Sequence, residues 1–427
     1  MIYKTTALGM LLAASALAGA SPALAQYGPS APASAAKSQP AASPETAAAP
    51  QRKFDISKQA RQAIGELETA VNAKDNASIP AKAAAAQAKA KTADDRYVIA
   101  QLQLRAAINA NDMPGAGTAI DAVIASGSAS ASELPGLYDS LGKIHYNAKA
   151  YDKASIALEK VIQLEPGNTD AMVMLAETRN AQGRVPDAVA MIQKAIAAKT
   201  AAGQKPAESW YKRAVALAYN ANLPNSPAIA REWVGAYPSP KNWHDAIRIY
   251  QTTAKTDDAS LLDSMRLAQA TGGLSGENDY FRFANTLVTK GYAGEAKLVL
   301  EQGFAANAIN KTKPTFSQLY SVATTKSQGD RASLAASGKA AIAGPDARKV
   351  MVIADAYYGY GDYAQAAELY RAALGKAGVD KDVANLRLGM TLARSGDKAG
   401  ATAALNAAGG AQAEVAKLWL TYLGTKG

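Results

Sequence analysis

A turn signal that recurs every 32 to 38 residues constrains the fold of this chain more than any other feature of its sequence. In the clear cases a Gly, Lys or Asn is followed five residues later by Ala. These signals begin at Asn111, Lys149, Gly183, Gly291, Gly361 and Gly396, and weaker ones at Lys74, Ala221, Lys255 and Gly329. A fixed period in this range predicts an array of helical units, each packing mainly on its neighbours.

Residues 137–166 show one such unit most clearly, because apolar residues recur at helical spacing on both sides of a turn at Lys149. Each apolar stripe needs a partner to bury against, so the segment is predicted to form two antiparallel helices. Gly142 and Ala154 lack bulk where the helices would cross most closely. Pro166 cannot continue a helix and is predicted to end the second one.

This unit resembles a tetratricopeptide repeat, whose pattern is W-x2-L-G-x2-Y, then A-x3-F, then P, over about 34 residues. The corresponding residues here are Tyr138, Leu141, Gly142, His145, Ala154, Leu158 and Pro166. No alternation of apolar and polar residues predicts a strand. The predicted fold class is therefore all-α. The resemblance implies a right-handed α-solenoid of antiparallel helix pairs, a superhelix similar to those of tetratricopeptide-repeat proteins.

The start of the chain has the pattern of a secretory signal over residues 1–25. Lys4 precedes a short apolar run, and Ala23-Leu24-Ala25 is a cleavage site that leaves Gln26 as the mature N-terminus. An uncleaved membrane anchor is the alternative, but the run is short for a bilayer span. The sequence has no Cys, which excludes disulfides and a lipid-modified cysteine. Residues 26–53, rich in Ala, Pro and Ser, are predicted to be a disordered tether.

Two groups of repeats are predicted after the tether, at residues 54–237 and 238–427, divided at Pro238-Ser239-Pro240. Residues 411–423 are predicted to form a final helix that caps the array. The predicted helix pairs lie at 54–91, 94–126, 137–166, 169–198, 206–237, 243–270, 278–306, 313–342, 346–377 and 381–408.

Catalytic chemistry has little support in this sequence. The only two histidines, His145 and His244, are each predicted to have a structural role. No HExxH, CxxC or GxxxxGK[ST] motif occurs, and the G-x-S-x-G elbow is also absent. The sequence therefore predicts a protein that is not an enzyme, with no catalytic, cofactor-binding or metal site.

Binding residues are instead implied by the resemblance, since the first helix of each tetratricopeptide pair lines a concave groove. The family's groove positions correspond here to Lys143, Tyr146, Tyr211, Lys212, Tyr219, Phe281, Arg282, Asn285, Tyr358, Arg387 and Arg394. These residues are mostly basic and aromatic, a composition that suits contact area and recognition of carboxylates. The alternative is that they are ordinary solvated residues of amphipathic helices.

The predicted partner is an extended protein or peptide segment. The formal net charge of +10 favours acidic peptides, anionic glycans or a membrane surface, while export and the absence of a dense Lys/Arg cluster argue against nucleic acid. The resemblance implies a periplasmic scaffold, with envelope assembly as one role. An accessory protein of polysaccharide export that binds an anionic glycan is the second hypothesis. No transmembrane span is predicted in the mature protein.

Overall fold

The protein folds into helices over the residues that the computed structural model describes, 52–254 and 256–426. These residues form two compact units, residues 52–183 and residues 184–426. Within the described ranges there is no strand, and no helix combines the length and apolarity needed to cross a membrane. The predicted all-α class is confirmed. The predicted signal peptide of residues 1–25 and residues 26–51 of the predicted tether lie outside the described residues.

The first unit is a succession of helices joined by short loops. Its helices are α1 (Lys58–Asn72), α2 (Ile79–Lys89), α3 (Ala93–Asn109), α4 (Met113–Ala125), α5 (Leu134–Asn147), α6 (Tyr151–Leu164) and α7 (Thr169–Ala181). Helices α1 and α2, α3 and α4, and α5 and α6 pack as pairs, and each pair contacts the next. This is the predicted α-solenoid arrangement of helix pairs.

The second unit has the same arrangement. Its helices are α8 (Val185–Ala201), α9 (Glu208–Asn220), α10 (Ser226–Ala236), α11 (Pro240–Thr253), α12 (Asp258–Ala270), α13 (Gly276–Thr289), α14 (Ala293–Ala305), α15 (Pro314–Ala343), α16 (Ala347–Gly359), α17 (Tyr363–Leu374), α18 (Lys381–Ser395), α19 (Lys398–Asn406) and α20 (Ala413–Thr425). Successive helices pack on one another throughout, so this unit is also an α-solenoid.

The turns between paired helices use the residues that the recurring signal predicted. Asn111 has φ +54° and Gly361 has φ +81°, and both end a helix in the left-handed region that Gly and Asn tolerate best. One turn is displaced by a residue, since Asn222 rather than the predicted Ala221 adopts positive φ, at +52°. The predicted signal at Lys255 lies outside the described residues.

Small residues lie where the paired helices approach most closely, as the sequence predicted. A Cβ atom placed on Gly142 of α5 would lie 2.7 Å from Cγ of Leu158 on α6. Ala154 and Ala296 are completely buried in their own pairs. Because a buried site this tight has no room for a larger group, these positions set the distance between helices.

The predicted pair at residues 313–342 is wrong, since these residues lie in the single helix α15. Gly329, where the sequence predicted a turn, lies inside the helix and does not adopt positive φ. The Ala-rich residues that follow it have high helical propensity. Of this second half, Leu334, Gly338 and Ala341 are buried. Because so few apolar residues are buried there, a separate second helix would gain little stability by folding back on the first.

The predicted division at Pro238 also differs from the structure, in which the boundary between the two compact units falls between Gly183 and Arg184. Ser239 caps α11 by accepting a hydrogen bond from the Asn242 backbone N–H, and Pro240 is the first helical residue. Proline suits that position because its missing N–H would have no partner there. The proline-rich stretch therefore starts a helix, and α11 packs directly on α10.

The last helix, α20, contacts α10, α12 and α18 in addition to α19. Glu414 forms an ion pair with Arg231 of α10 at 2.9 Å. Tyr422 donates a hydrogen bond of 3.1 Å to the carbonyl oxygen of Ala270, and its ring meets that of Trp243 edge-on. The predicted final helix is present, and it links the end of the unit to helices far earlier in the sequence.

The N-terminal residues of the first unit are anchored on α3. Asp95 is fully buried and accepts hydrogen bonds from the backbone N–H groups of Ser57, at 2.9 Å, and Thr92, at 3.0 Å. Burial acts to raise the pKa of Asp95, but these hydrogen bonds outweigh it and hold the pKa well below its usual range. Arg52, near the end of the predicted tether, donates to the carboxylate of Asp94 at 3.2 Å.

Candidate functional site

The eleven residues predicted to line a groove are divided between the two units. Lys143 and Tyr146 lie on α5 of the first unit. Lys143 is exposed and forms an ion pair with Asp139 of the same helix at 2.7 Å. Tyr146 is half-buried and meets the ring of Tyr151 edge-on at 5.7 Å. The other nine residues lie in the second unit.

Three of the nine lie on α9. Tyr211 is buried and its ring packs edge-on against Tyr237, so it serves the core and not the surface. Lys212 is exposed and pairs with Glu208 of the same helix at 3.1 Å. Tyr219 is exposed. Two of the three predicted residues on α9, Lys212 and Tyr219, are therefore exposed on the surface.

Helix α13 presents its three predicted residues most openly. Phe281 is 40% exposed, although its ring packs edge-on with that of Phe316, with the two ring centroids 6.5 Å apart. Asn285, one turn later, is exposed, and Arg282 is half-buried beside them. Phe281 and Asn285 form a short exposed strip on one face of the helix, and Arg282 lies on the neighbouring face, where it contacts Gln251 of α11.

The predictions on α16 and α18 are corrected in two places. Tyr358 is buried, with its ring 4.8 Å from the guanidinium of Arg266. Arg387 was predicted to be a groove cation but is only 8% exposed. Arg394 is half-buried, and its guanidinium carbon lies 5.4 Å from the centroid of the Tyr363 ring. Arg387 turns away from solvent because two buried carboxylates hold it.

Those carboxylates belong to a buried ion cluster that the sequence analysis missed. The cluster consists of Asp263 and Arg266 on α12, Glu295 on α14, Asp355 on α16 and Arg387 on α18. Arg266 is completely buried and binds Glu295 with two parallel hydrogen bonds, of 2.9 and 2.7 Å. It also pairs with Asp263 at 2.9 Å and Asp355 at 3.3 Å. Four helices are thus joined through charged groups.

Arg387 completes the cluster from the other side. Its Nε atom donates to Asp263 at 3.1 Å and its Nη1 atom to Asp355 at 2.7 Å. Asp355 also accepts hydrogen bonds from the hydroxyls of Tyr292, at 2.8 Å, and Tyr370, at 2.6 Å. Burial acts to raise the pKa of Asp355, but the two guanidinium groups outweigh it and hold the pKa below its usual range. Because the carboxylate oxygens of the cluster accept hydrogen bonds from its arginines and tyrosines, the cluster serves to hold the helices together.

A polar pocket lies elsewhere in the second unit, between α11, α12 and α13. Its apolar wall includes Ile247, Met265 and Leu274. Its polar wall consists of His244, Arg248, Gln251, Asp279 and Arg282. Of the eleven residues predicted to line a groove, Arg282 alone lines this pocket. The second arginine, Arg248, was not predicted.

Groups suited to metal binding are not assembled in the parts of the protein that the structure describes. No three His, Cys, Asp or Glu side chains in residues 52–254 and 256–426 are grouped as metal ligands would be. His145 and His244 are both half-buried. His244 Nε2 lies 3.6 Å from a carboxylate oxygen of Asp279.

Comparison with known proteins identifies part of the sequence. Residues 145–204 match the family model described as tetratricopeptide repeat, which confirms the resemblance seen in the sequence pattern. The matched residues run from the end of α5 to just past α8 and include Ala154, Leu158 and Pro166 of that pattern. A search of curated proteins finds no match.

The solved structures that match this protein have low sequence identity to it. A crystal structure of a tetratricopeptide repeat protein from Parabacteroides merdae ATCC 43184 is 11% identical, covering 63% of this chain and 100% of that one, with a TM-score of 0.29. Naa15/Naa10 bound to HypK-THB is 13% identical, covering 82% and 58%, with a TM-score of 0.32. BtubC (BKLC) from P. vanneervenii is 15% identical, covering 60% and 96%, with a TM-score of 0.27.

Proposed function

We propose that this protein is an exported scaffold that binds an extended segment of a partner protein. Its tetratricopeptide repeats support the proposal. Solenoids of such repeats typically act as non-catalytic interaction scaffolds, because stacked units offer a long continuous surface. The fold alone does not select a partner, so the surface residues must do so.

The exposed strip on α13 is the observation that supports this proposal most. Phe281 keeps 40% of its surface exposed, whereas Phe283 and Phe316 of the same unit are buried. Asn285 lies one turn after Phe281 on the same face, and Arg282 lies on the neighbouring face of the helix. Aromatic and arginine side chains are enriched among the residues that contribute most binding energy at protein interfaces. The strip is therefore the proposed centre of the contact in the second unit.

The proposed partner segment is acidic. The formal net charge of +10 would speed its association, and the exposed charges would act more on the association rate than on affinity. An anionic glycan is the second candidate, because exposed rings such as Tyr219 and Phe281 could stack on sugars. The two candidates predict chemically different cross-linked products.

Site-specific photocross-linking tests the proposal. A benzoylphenylalanine residue replaces Phe281 on α13 or, as a matched control, Leu298 on α14, which is 41% exposed. Cells are irradiated and adducts are analysed by mass spectrometry. We expect peptide adducts from the Phe281 position and none from the Leu298 position. Equal labelling at both positions would contradict the proposed surface, and a sugar-containing adduct at Phe281 would favour the glycan candidate.

Export is proposed on the signal pattern of residues 1–25. Cell fractionation followed by N-terminal sequencing checks it, with mature protein expected in the periplasm and starting at Gln26. Purified protein that still begins at Met1 would contradict cleavage at this site.

A further inference from the structure

The first unit already holds a short non-helical segment of its own chain. Residues 52–55, called the strap below, precede α1 and lie against the start of α3. The backbone of Asp55 is held at two points, since its N–H donates to the Asp94 carboxylate at 2.7 Å and its carbonyl oxygen accepts from the Thr92 hydroxyl at 3.1 Å. A peptide bound through its backbone groups is therefore present within this unit.

Two side chains of the strap add contacts that depend on residue type. The ring of Phe54 stacks on that of Tyr97, with the centroids 5.3 Å apart. The guanidinium carbon of Arg52 lies over both rings, 4.9 Å from the centroid of Phe54 and 5.2 Å from that of Tyr97. The same guanidinium donates to the Asp94 carboxylate at 3.2 Å and to the Ser128 hydroxyl at 2.6 Å. An arginine two residues before an aromatic ring thus fits this surface.

The surface under the strap is arranged by contacts that the strap does not make. Tyr97 of α3 donates a hydrogen bond from its hydroxyl to the carboxylate of Glu133, which directly precedes α5. The other oxygen of Glu133 accepts from the backbone N–H of Ser130 at 2.7 Å and lies 3.9 Å from Arg52. The ring and two carboxylates, those of Asp94 and Glu133, are therefore in position before a cationic segment arrives.

The strap is attached through groups that water can reach. The side chain of Arg52 is 40% exposed and Phe54 is 38% exposed. Exposed ion pairs contribute little stability, because water competes for both charges. The chain after the strap is fixed more firmly, since Ile56 packs on the core of α1, α2 and α3 and Ser57 caps α1. The strap can therefore lift from the surface while α1 stays folded.

We propose that the strap is an internal competitor for a peptide-binding surface of the first unit. This surface binds a partner segment that has the chemistry of the strap, with an arginine two residues before an aromatic residue. The strap must be displaced first, because a segment joined to the same chain has a high effective concentration at the surface. This inference rests on the proposed function and adds to it a site whose ligand is basic, unlike that of the strip on α13.

A labelled peptide added in trans tests the inference. The probe is the fluorescein-labelled, C-terminally amidated hexapeptide RKFDIS, which repeats residues 52–57, and its binding to the full protein is measured by fluorescence anisotropy. The double variant Arg52→Ala/Phe54→Ala should bind the probe at least about tenfold more tightly than the wild type, because its own strap competes less. Lys53→Ala is the matched control, since Lys53 is exposed and has no ion pair or hydrogen bond among the described residues. It should bind like the wild type.

A second substitution, made in the double variant, tests the surface itself. Asp94→Asn should weaken binding of the probe about tenfold, because it removes the charge that faces the arginine of the probe. Asp121→Asn removes the same charge from an exposed site on α4 and should leave binding unchanged. A probe with alanine in place of its arginine and phenylalanine should bind at least about tenfold more weakly than RKFDIS. Unchanged thermal melts would exclude misfolding as the cause.

The results that overturn the inference are specific. Equal binding of the probe by the wild type and the double variant, or by Asp94→Asn and Asp121→Asn, would reject the internal competitor or its surface. A dimer that the wild type forms and the double variant does not would assign the strap to a second copy of the chain instead. Photocross-linking at position 281 tests the second unit alone. Adducts there without probe binding would leave the proposed function standing, and probe binding without adducts would reject the strip on α13 only.

Discussion

An Arg387→Gln variant is expected to lose about 3–5 kcal/mol of the free energy of unfolding of the second unit, as does removal of one partner from a buried ion pair. Arg387 binds Asp263 and Asp355, and both carboxylates are almost completely buried. The buried ion cluster already has three carboxylates for two guanidinium groups. Gln cannot replace the lost charge, so Arg266 would be left to balance all three carboxylates.

Tryptophan fluorescence in a urea titration measures this loss selectively, since Trp210, Trp233, Trp243 and Trp419 all lie in the second unit. Arg394→Gln is the matched control on the same helix, because Arg394 contacts the ring of Tyr363 and no carboxylate within 4 Å among the described residues. We expect the control to lose about 1 kcal/mol or less. Equal urea midpoints for the two variants would show that the buried ion cluster contributes little to stability.

The helical units could be predicted because their signals are local. A left-handed turn needs Gly or Asn at one position, and a close helix crossing needs a small residue five positions later, as at Gly361 and Ala366. Both requirements are visible in a stretch of one unit. The failure at Gly329 is informative for the same reason. There the turn residue is present, but the residues after it in α15 lack the apolar stripe that would hold a hairpin closed.

The buried ion cluster could not be predicted because most of its bonds join residues that are distant in sequence, and only the pair of Arg266 with Asp263 is local. Arg387 and Asp263 are 124 residues apart, and Arg266 and Asp355 are 89 residues apart. One signal was available, since Arg266 lies between Met265 and Leu267 and Arg387 lies between two leucines. Charged residues so placed are candidates for burial, but only the tertiary structure shows which carboxylates meet them.

The groove prediction is wrong for Arg387, whereas Arg282 lines a pocket. Both outcomes depend on which helices pack on the one that carries the arginine. Both arginines correspond to groove positions of the family, but a helix position specifies a direction and not the elements that later pack on it. Helix α18 is covered by α12 and α20, whereas α13 leaves Phe281 and Asn285 exposed. The long-range return of α20 therefore helps to separate a buried face from an open one in this unit.

A Gly142→Val variant is expected to destabilise the α5–α6 pair by about 1–3 kcal/mol, the usual cost of overpacking a core. The added Cβ would lie 2.7 Å from Cγ and Cδ2 of Leu158, a fully buried residue whose side chain has little space to move. Hydrogen exchange followed by mass spectrometry on peptides from residues 134–164 measures the loss locally, as faster exchange of the α5 and α6 amides.

Gly136→Val is the matched control for this variant, because it adds the same side chain to α5 at a site with no heavy atom within 4 Å of the new Cβ. It should leave exchange nearly unchanged, since valine is tolerated in a helix at least as well as glycine. Leu158→Ala provides a second check. Alone it should cost about 2–5 kcal/mol, but combined with Gly142→Val it should cost clearly less than the sum, because it removes the atoms that clash. Strictly additive losses, or faster exchange in Gly136→Val, would mean that the close approach of α5 and α6 does not depend on Gly142.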